Sequence, residues 1–417
     1  MTRVSRRSWR SVKIIPPEIR HDRNFLPRPG LPSAEPCSTI AAVRLWLGLL
    51  AVSAVLAAPP TQQDFEAWAL SQGGRVERSA DGSIAGVDLS GTWITDADLS
   101  RIAALGRLER LDLSETGVSD VGLEALAPLR GVRELNLYFA EAVSEFGLAN
   151  LKGWTSLQKL NLRGTQARSR VFETLAELGG LRELDLSHTR VTDDGFDRLA
   201  ELQRLETLAI GSNRLDGGCL ETLKLLPNLR RLDLRGVQRV DSGLWGLALN
   251  RRNLERLSEL KQLRELLLGG ATITDVGADR PGRQDAERAE LLHVELLASL
   301  KQLRELDLSR QPVTLAGIAF LRELPALERL NLGQCARLGD PLADLLAALP
   351  RLREAYLAGT GLSDAGLQRL GALRLQRLSV GGSAVTEAAV AAFRAGHPQV
   401  ELTWFGSDGF GETRAAQ

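Results

Sequence analysis

The groups in this chain that could do chemistry are four histidines, three cysteines and many carboxylates, and their spacing decides whether they do. His21, His188, His293 and His397 stand far apart, with no H-E-x-x-H pair to hold a metal on one helix face. No G-x-S-x-G turn presents a serine nucleophile, and no G-x-x-x-x-G-K-[ST] loop offers amides to a phosphate. Cys37, Cys219 and Cys335 are an odd number without metal-ligand spacing. Paired carboxylates are frequent, but they return at a constant interval, which makes them part of a repeat. The pattern therefore predicts no catalytic residue, no metal site and no cofactor, and what remains is chemistry of recognition.

The interval is that of an L-x-L pattern. Its first apolar residue stands at 87, 111, 135, 160, 184, 208, 232, 266, 306, 330, 355, 378 and 400, giving thirteen units about 24 residues apart, with two long ones. Within a unit such as 107–129, Leu111 and Leu113 alternate with Asp112 and Ser114, the period of a short strand with one buried face. Thr116 follows at an offset shared by Thr92, Thr165, Thr189, Asn213, Cys335, Thr360 and Ser383, small groups able to bond backbone where the chain leaves the sheet. Ala140, Val237 and Ala271 interrupt that column. Ser119-Asp120 then precedes Gly122-Leu123, and Thr95-Asp96, Thr192-Asp193, Thr274-Asp275 and Ser363-Asp364 repeat it, as helix starts do. Leu123, Leu126 and Leu129 supply the buried stripe of that short helix. Cys219 and Cys335, four units apart, would lie roughly 19 Å from each other at about 4.8 Å per strand, beyond disulfide reach, and read as core residues.

These units resemble the leucine-rich-repeat family over about residues 84–404, in the T-D-x-G-L form common in bacterial proteins and similar to the repeats of F-box substrate receptors. The resemblance implies an α/β right-handed solenoid: a curved parallel sheet of about thirteen strands with short helices on its convex side. It also implies protein binding, with no shared site to transfer residue by residue.

On the concave face the position before each first Leu mostly alternates in sign: Arg110, Glu134, Lys159, Glu183, Thr207, Arg231, Glu265, Glu305, Arg329, Glu354 and Arg377. Lateral neighbours in a parallel sheet can pair there. The next row holds Asp88, Asp112, Asn136, Asn161, Asp185, Asp233, Asp307 and Asn331, suited to a basic or hydroxyl-rich partner, to calcium, or simply to the repeat. Tyr138, Phe139 and Tyr356 are the aromatic anchors expected to project from this face. Candidate partner-binding residues are thus Tyr138, Phe139, Tyr356, Asp112, Asn136, Asn161 and Asp185. Trp154 aligns with Leu129 and reads as core.

Residues 1–39, rich in Arg and Pro, read as a disordered or untranslated leader. Residues 40–58 read as a signal peptide, because the uncharged run 45–58 is short for a membrane span and ends in Ala57-Ala58. An uncleaved anchor is the alternative. Residues 61–86 form an N-terminal cap, with a helix over 62–72 burying Phe65, Trp68 and Leu70 and a hairpin about Asp81-Gly82. Residues 87–404 are the repeats and 405–417 a tail. The units beginning at 232 and 266 are long; the first predicts an extended convex helix through Leu254, Leu257, Leu260 and Leu263, the second an exposed excursion over 279–290. Lys plus Arg and Asp plus Glu are both 52, so net charge selects neither nucleic acid nor an anionic membrane. The sequence reading is an exported monomer that binds a protein as a scaffold or adhesion module, without a membrane span in the mature chain. An intracellular F-box-like receptor and a cell-wall or glycan binder are its rivals.

Overall fold

The computed structural model describes residues 61–236, 247, 249–271, 293–382 and 384–405. The leader, the apolar run at 45–58, the excursion at 279–290, and Val237, Thr274 and Ser383 lie outside the described residues, as does the tail beyond Phe405.

Fourteen strands follow one another in sequence order across a single sheet. They are β1 (Arg75–Arg78), β2 (Ile84–Asp88), β3 (Arg110–Asp112), β4 (Glu134–Asn136), β5 (Lys159–Asn161), β6 (Glu183–Asp185), β7 (Thr207–Ala209), β8 (Arg231–Asp233), β9 (Glu265–Leu267), β10 (Glu305–Asp307), β11 (Arg329–Asn331), β12 (Glu354–Tyr356), β13 (Arg377–Gly381) and β14 (Glu401–Phe405). Strand β1 is antiparallel to β2, and every later pairing is parallel, so the thirteen L-x-L units are β2 to β14. First-Leu columns stay in register, Val87 opposite Leu111 and Leu111 opposite Leu135. The last unit is corrected by two residues: Leu402, not Val400, stands opposite Leu378. Both are apolar, and only pairing distinguishes a core-facing strand residue from one just before the strand.

The other side carries short helices: α1 (Gln62–Ser71) in the cap, then α2 (Asp96–Ala103), α3 (Asp120–Leu126), α4 (Glu145–Leu148), α5 (Val171–Leu175), α6 (Cys219–Leu223), α7 (Arg251–Ser258), α8 (Leu342–Leu346), α9 (Asp364–Leu370) and α10 (Glu387–Gly396). Three units use 3-10 turns instead. One of them corrects the helix expected after Thr192-Asp193: Gly195 turns left-handed (φ 71°), and a 3-10 turn starts only at Phe196. Helix α7 ends at Ser258, so the helix does not continue through Leu260 and Leu263; those two are buried in the turn leading to β9.

In the cap, Thr61 and Asp64 form a reciprocal capping box on α1. The helix buries Phe65 and Ala69, one turn apart, and half-buries Trp68, whereas Leu70 is 60% exposed. Leu70 lies five residues from Phe65, about 140° around the helix, hence on the far face. Of the hairpin turn residues only Gly82 has positive φ.

Two sets of side-chain hydrogen bonds recur along the units, the first within a unit and the second between units. The hydroxyls of Thr92, Thr116, Thr165, Thr189 and Thr360 each donate to the carbonyl three residues back, at 2.6–2.8 Å. Where Ala271 lacks a donor, Gln311 of the following unit donates from Nε2 to Leu268 O and Ala271 O. The second set lies at the helix starts. Asp96 accepts from the Ser119 amide and hydroxyl at 2.7 and 2.6 Å; Asp120 does the same for Ser144, Asp340 for Ser363 and Asp364 for Thr386. A Cβ on Gly122, Gly147 or Gly366 would collide with the carboxylate of Asp96, Asp120 or Asp340. The glycine of each unit thus makes room for the aspartate of the unit before.

Between sheet and helices the leucine columns form one continuous core. Trp154 is fully buried, its Nε1 donating to Ala127 O at 3.3 Å. Among the described residues no helix is long and apolar enough to cross a membrane.

Candidate functional site

The open face of the sheet carries a groove of about 810 Å³ that runs from Arg75 on β1 to Asp233 on β8, with Arg235 just beyond. Asp112, Asn136, Asn161 and Asp185 all line it, as do Arg110, Glu134, Lys159 and Glu183. The charged row pairs laterally. Arg110 bonds Glu77, Lys159 sits between Glu134 and Glu183 at 3.9 and 3.3 Å, and Arg377 bridges Glu354 and Glu401 at 3.2 and 3.0 Å. At the end of the groove Arg231 joins Glu265, Glu305 and Arg329 in a half-buried network. Pairs at this exposure contribute about 0.2–1 kcal/mol each, so the row fixes side-chain positions more than it adds stability.

The Asp and Asn row has a local reason to exist. Each side chain accepts the amide two residues on: Ser90 to Asp88, Ser114 to Asp112, Tyr138 to Asn136, Arg163 to Asn161, Ser187 to Asp185 and Ser309 to Asp307. These Asx turns carry the chain out of each strand. Of the aspartates in the row, Asp112 and Asp233 have their second oxygen taken, by Asn136 Nδ2 at 2.8 Å and by the Arg235 guanidinium at 2.6 Å.

The three aromatic candidates do not share a site. Tyr356 lies on β12, four strands past the groove's last, and its hydroxyl is taken by Glu354 Oε2 at 2.9 Å. Burial, and then that carboxylate, raise its pKa above the ordinary phenol value. Tyr138 and Phe139 instead stand where β4 leaves the sheet, edge to face at 4.6 Å, and line a separate recess of about 550 Å³ at the rim. Glu115, Thr116, Gly117, Glu141 and Ala142 complete it. On the groove side, the Arg163 guanidinium approaches the Tyr138 ring at 5.9 Å, and its Nε is buried without a partner.

The rim has an unusual backbone. The fourth residue after the first Leu is left-handed in nearly every unit, and Gly91, Gly164, Gly270, Gly359 and Gly382 occupy it without strain. Glu115 (φ 55°) and Phe139 (φ 51°) hold the same conformation with side chains, as do His188, Ser212, Arg310 and Gln334. Phe139 lies over Gly164, where a Cβ would come within 2.9 Å of the ring. Glu115, Gly117, Glu141 and Trp93 were not singled out from sequence; Trp93, 96% exposed, occupies in its unit the place of Gly117. The signal for Glu141 was the 25-residue spacing from Leu135 to Leu160, whose extra residue falls between Ala140 and Val143.

Cys219 and Cys335 are free and buried. Desolvation pushes the Cys335 thiol up to about 11, and it donates to Leu308 O at 3.2 Å, so neither its ionisation nor its placement suits a nucleophile. Among the described residues no group of three His, Cys, Asp or Glu could hold a metal ion.

A leucine-rich-repeat family profile matches residues 108–127 and 181–200. No curated protein sequence matches the chain. Solved structures do: an internalin of Listeria monocytogenes is 16% identical, covering 84% of this chain and 98% of its own, with TM-score 0.50. A chain of the yeast Rad7–Elc1 complex is 18% identical, covering 77% of this chain and 82% of its own, with TM-score 0.51. A leucine-rich-repeat protein of Leptospira interrogans is 17% identical, covering 73% and 80%, with TM-score 0.46. At such identities the likeness concerns the fold.

Proposed function

We propose that this chain, a leucine-rich-repeat protein, is an exported scaffold or adhesion module that binds a protein through the groove on its sheet face. The observation that carries the reading is the groove itself: about 810 Å³ of open space over eight adjacent strands, lined by side chains already held in place by lateral ion pairs and Asx turns. Such pre-ordered groups lose little conformational entropy on binding. Asp112, Asn136, Asn161 and Asp185 are the proposed contacts, Tyr138 and Phe139 the rim anchors. Tyr356, bonded to Glu354 and distant from the groove, is the weakest of the candidate residues. Export rests on the apolar run 45–58 that precedes the repeats.

A glycan binder is less favoured, because each Asp or Asn of the row already spends one oxygen on its own turn. For an F-box-like receptor, residues 61–88 would have to engage an adaptor, yet α1, β1 and β2 there cover the end of the core. The test is photo-cross-linking of the full chain in cell-envelope extracts, with a benzophenone residue at Asn161 or Asp185 on the sheet face or at exposed Glu124 on α3. Protein adducts from the first two positions and not the third are expected. Adducts from Glu124 alone would move the binding face to the helices.

A further inference from the structure

We propose that the rim recess around Tyr138 and Phe139 is a pocket for one basic side chain, Lys or Arg, of a protein partner; this rests on the protein-binding reading and adds a specificity site to it. The walls are two carboxylates, Glu115 and Glu141, and the edge-to-face pair Tyr138–Phe139. Most carboxylates in the row beside the groove meet a cation of a neighbouring strand. Glu115 and Glu141 are exposed and make no ion pair or side-chain hydrogen bond among the described residues. The recess thus carries two negative charges that the fold leaves uncompensated, beside aromatic rings whose faces attract a cation.

Glu115 and Phe139 both stand in the left-handed column of the rim, on adjacent units, which brings their side chains to the same recess. Gly117, lacking a side chain, leaves the floor of the recess open, and Trp93 stands in its column on the unit before, almost wholly in solvent. Arg163, whose guanidinium approaches the Tyr138 ring, lines the sheet groove and not the recess. Aromatic walls with two open carboxylates match a guanidinium or ammonium on an aliphatic stem; an anionic or apolar group would leave both carboxylates uncompensated.

The chain has only two tyrosines, Tyr138 and Tyr356, one in the recess and one far along the sheet. Full-length protein labelled with 3-fluorotyrosine therefore gives two fluorine resonances, assigned with Tyr356→Phe. Titration with the capped tripeptide Ac-Ala-Arg-Ala-NH2 should shift the Tyr138 signal saturably in the millimolar range and leave Tyr356 in place. The citrulline tripeptide, neutral and of the same shape, should bind at least about five-fold more weakly, as should the Glu115→Gln/Glu141→Gln variant, whose unmoved Tyr356 signal reports an intact fold. Equal shifts from both peptides, undiminished binding by the double variant, or no shift of Tyr138 would overturn the pocket. Those results leave the cross-linking from Asn161 and Asp185 untouched, so the pocket can fail while the groove stands, and the reverse.

Discussion

The contact between Asp96 and the next unit allows a test in which one mutation lowers the cost of another. Asp96 accepts two hydrogen bonds from Ser119, at 2.7 and 2.6 Å, both half-buried. Hydrogen bonds to a charged group contribute about 1.5–3 kcal/mol each when buried, so with partial exposure Asp96→Ala should cost about 2–3 kcal/mol. Gly122 lies inside α3, where exchange for Ala would ordinarily stabilise by about 0.5–1 kcal/mol. Here the added Cβ would strike the Asp96 carboxylate and, less closely, the buried Leu99 side chain, and overpacking of this kind costs about 1–3 kcal/mol. Gly122→Ala should therefore destabilise the parent protein, and should cost less once Asp96 is Ala, when the contact with Leu99 alone remains. Urea denaturation of the four proteins measures the coupling. Additivity within about 0.5 kcal/mol would refute the assignment of the glycine to its neighbour's aspartate.

Leu186→Ala should cost about 2–5 kcal/mol, since the side chain is fully buried between units, while Asp185→Ala should cost about 1 kcal/mol through its bond to the Ser187 amide; equal denaturation midpoints would show the strand faces reversed. Glu115→Gly should raise stability by about 1 kcal/mol by relieving the left-handed strain, and should weaken the arginine tripeptide at the rim; lower stability in thermal unfolding would show that the φ is not strained. The side-chain and then backbone bonds from Ser363 hold the Asp340 carboxyl below the usual range. Its contribution is therefore present above the unfolded pKa of about 3.9 and lost as pH falls through the folded value, so Ser363→Ala should flatten the fall of urea midpoints between about pH 5 and 2; an unchanged slope would count against this linkage.

The sheet was legible because leucine spacing is a pairing rule: once Leu111 and Leu135 share a column, the parallel register follows. It failed at Val400 because two apolar residues two apart give the same alternation, and only the partner strand separates them. Leu70 was misplaced because its apolarity was weighed without its angle from Phe65. The Asp-x-Gly pair was legible as a helix start, but its second purpose joins residues of different units, Asp96 with Ser119 and Gly122, and a pattern read within one unit cannot contain that contact. The aromatic pair Tyr138–Phe139 was found by residue type. Its surroundings were not, since Glu115 and Glu141 look like ordinary surface carboxylates until the backbone turns bring them beside the rings.

A repeat must satisfy itself before it can bind anything else, and the distribution of unsatisfied groups follows from that. Along the strand face a charge of one unit finds its counter-charge on the next, because lateral neighbours are fixed by the ladder and alternation in sequence becomes pairing in space. Such a face is rigid and polar, and discriminates weakly by charge because its ions already have partners. Departures from the repeat escape this constraint. The extra residue after Ala140 places Glu141 where no neighbouring unit has a matching position, and Phe139 stands between Glu115 and Gly164 in its column, neither of them a cation or an apolar side chain. Charge and apolar surface that the array cannot neutralise internally are left to a ligand, which is why the rim of the third unit, and not the regular face beside it, is where specificity should reside.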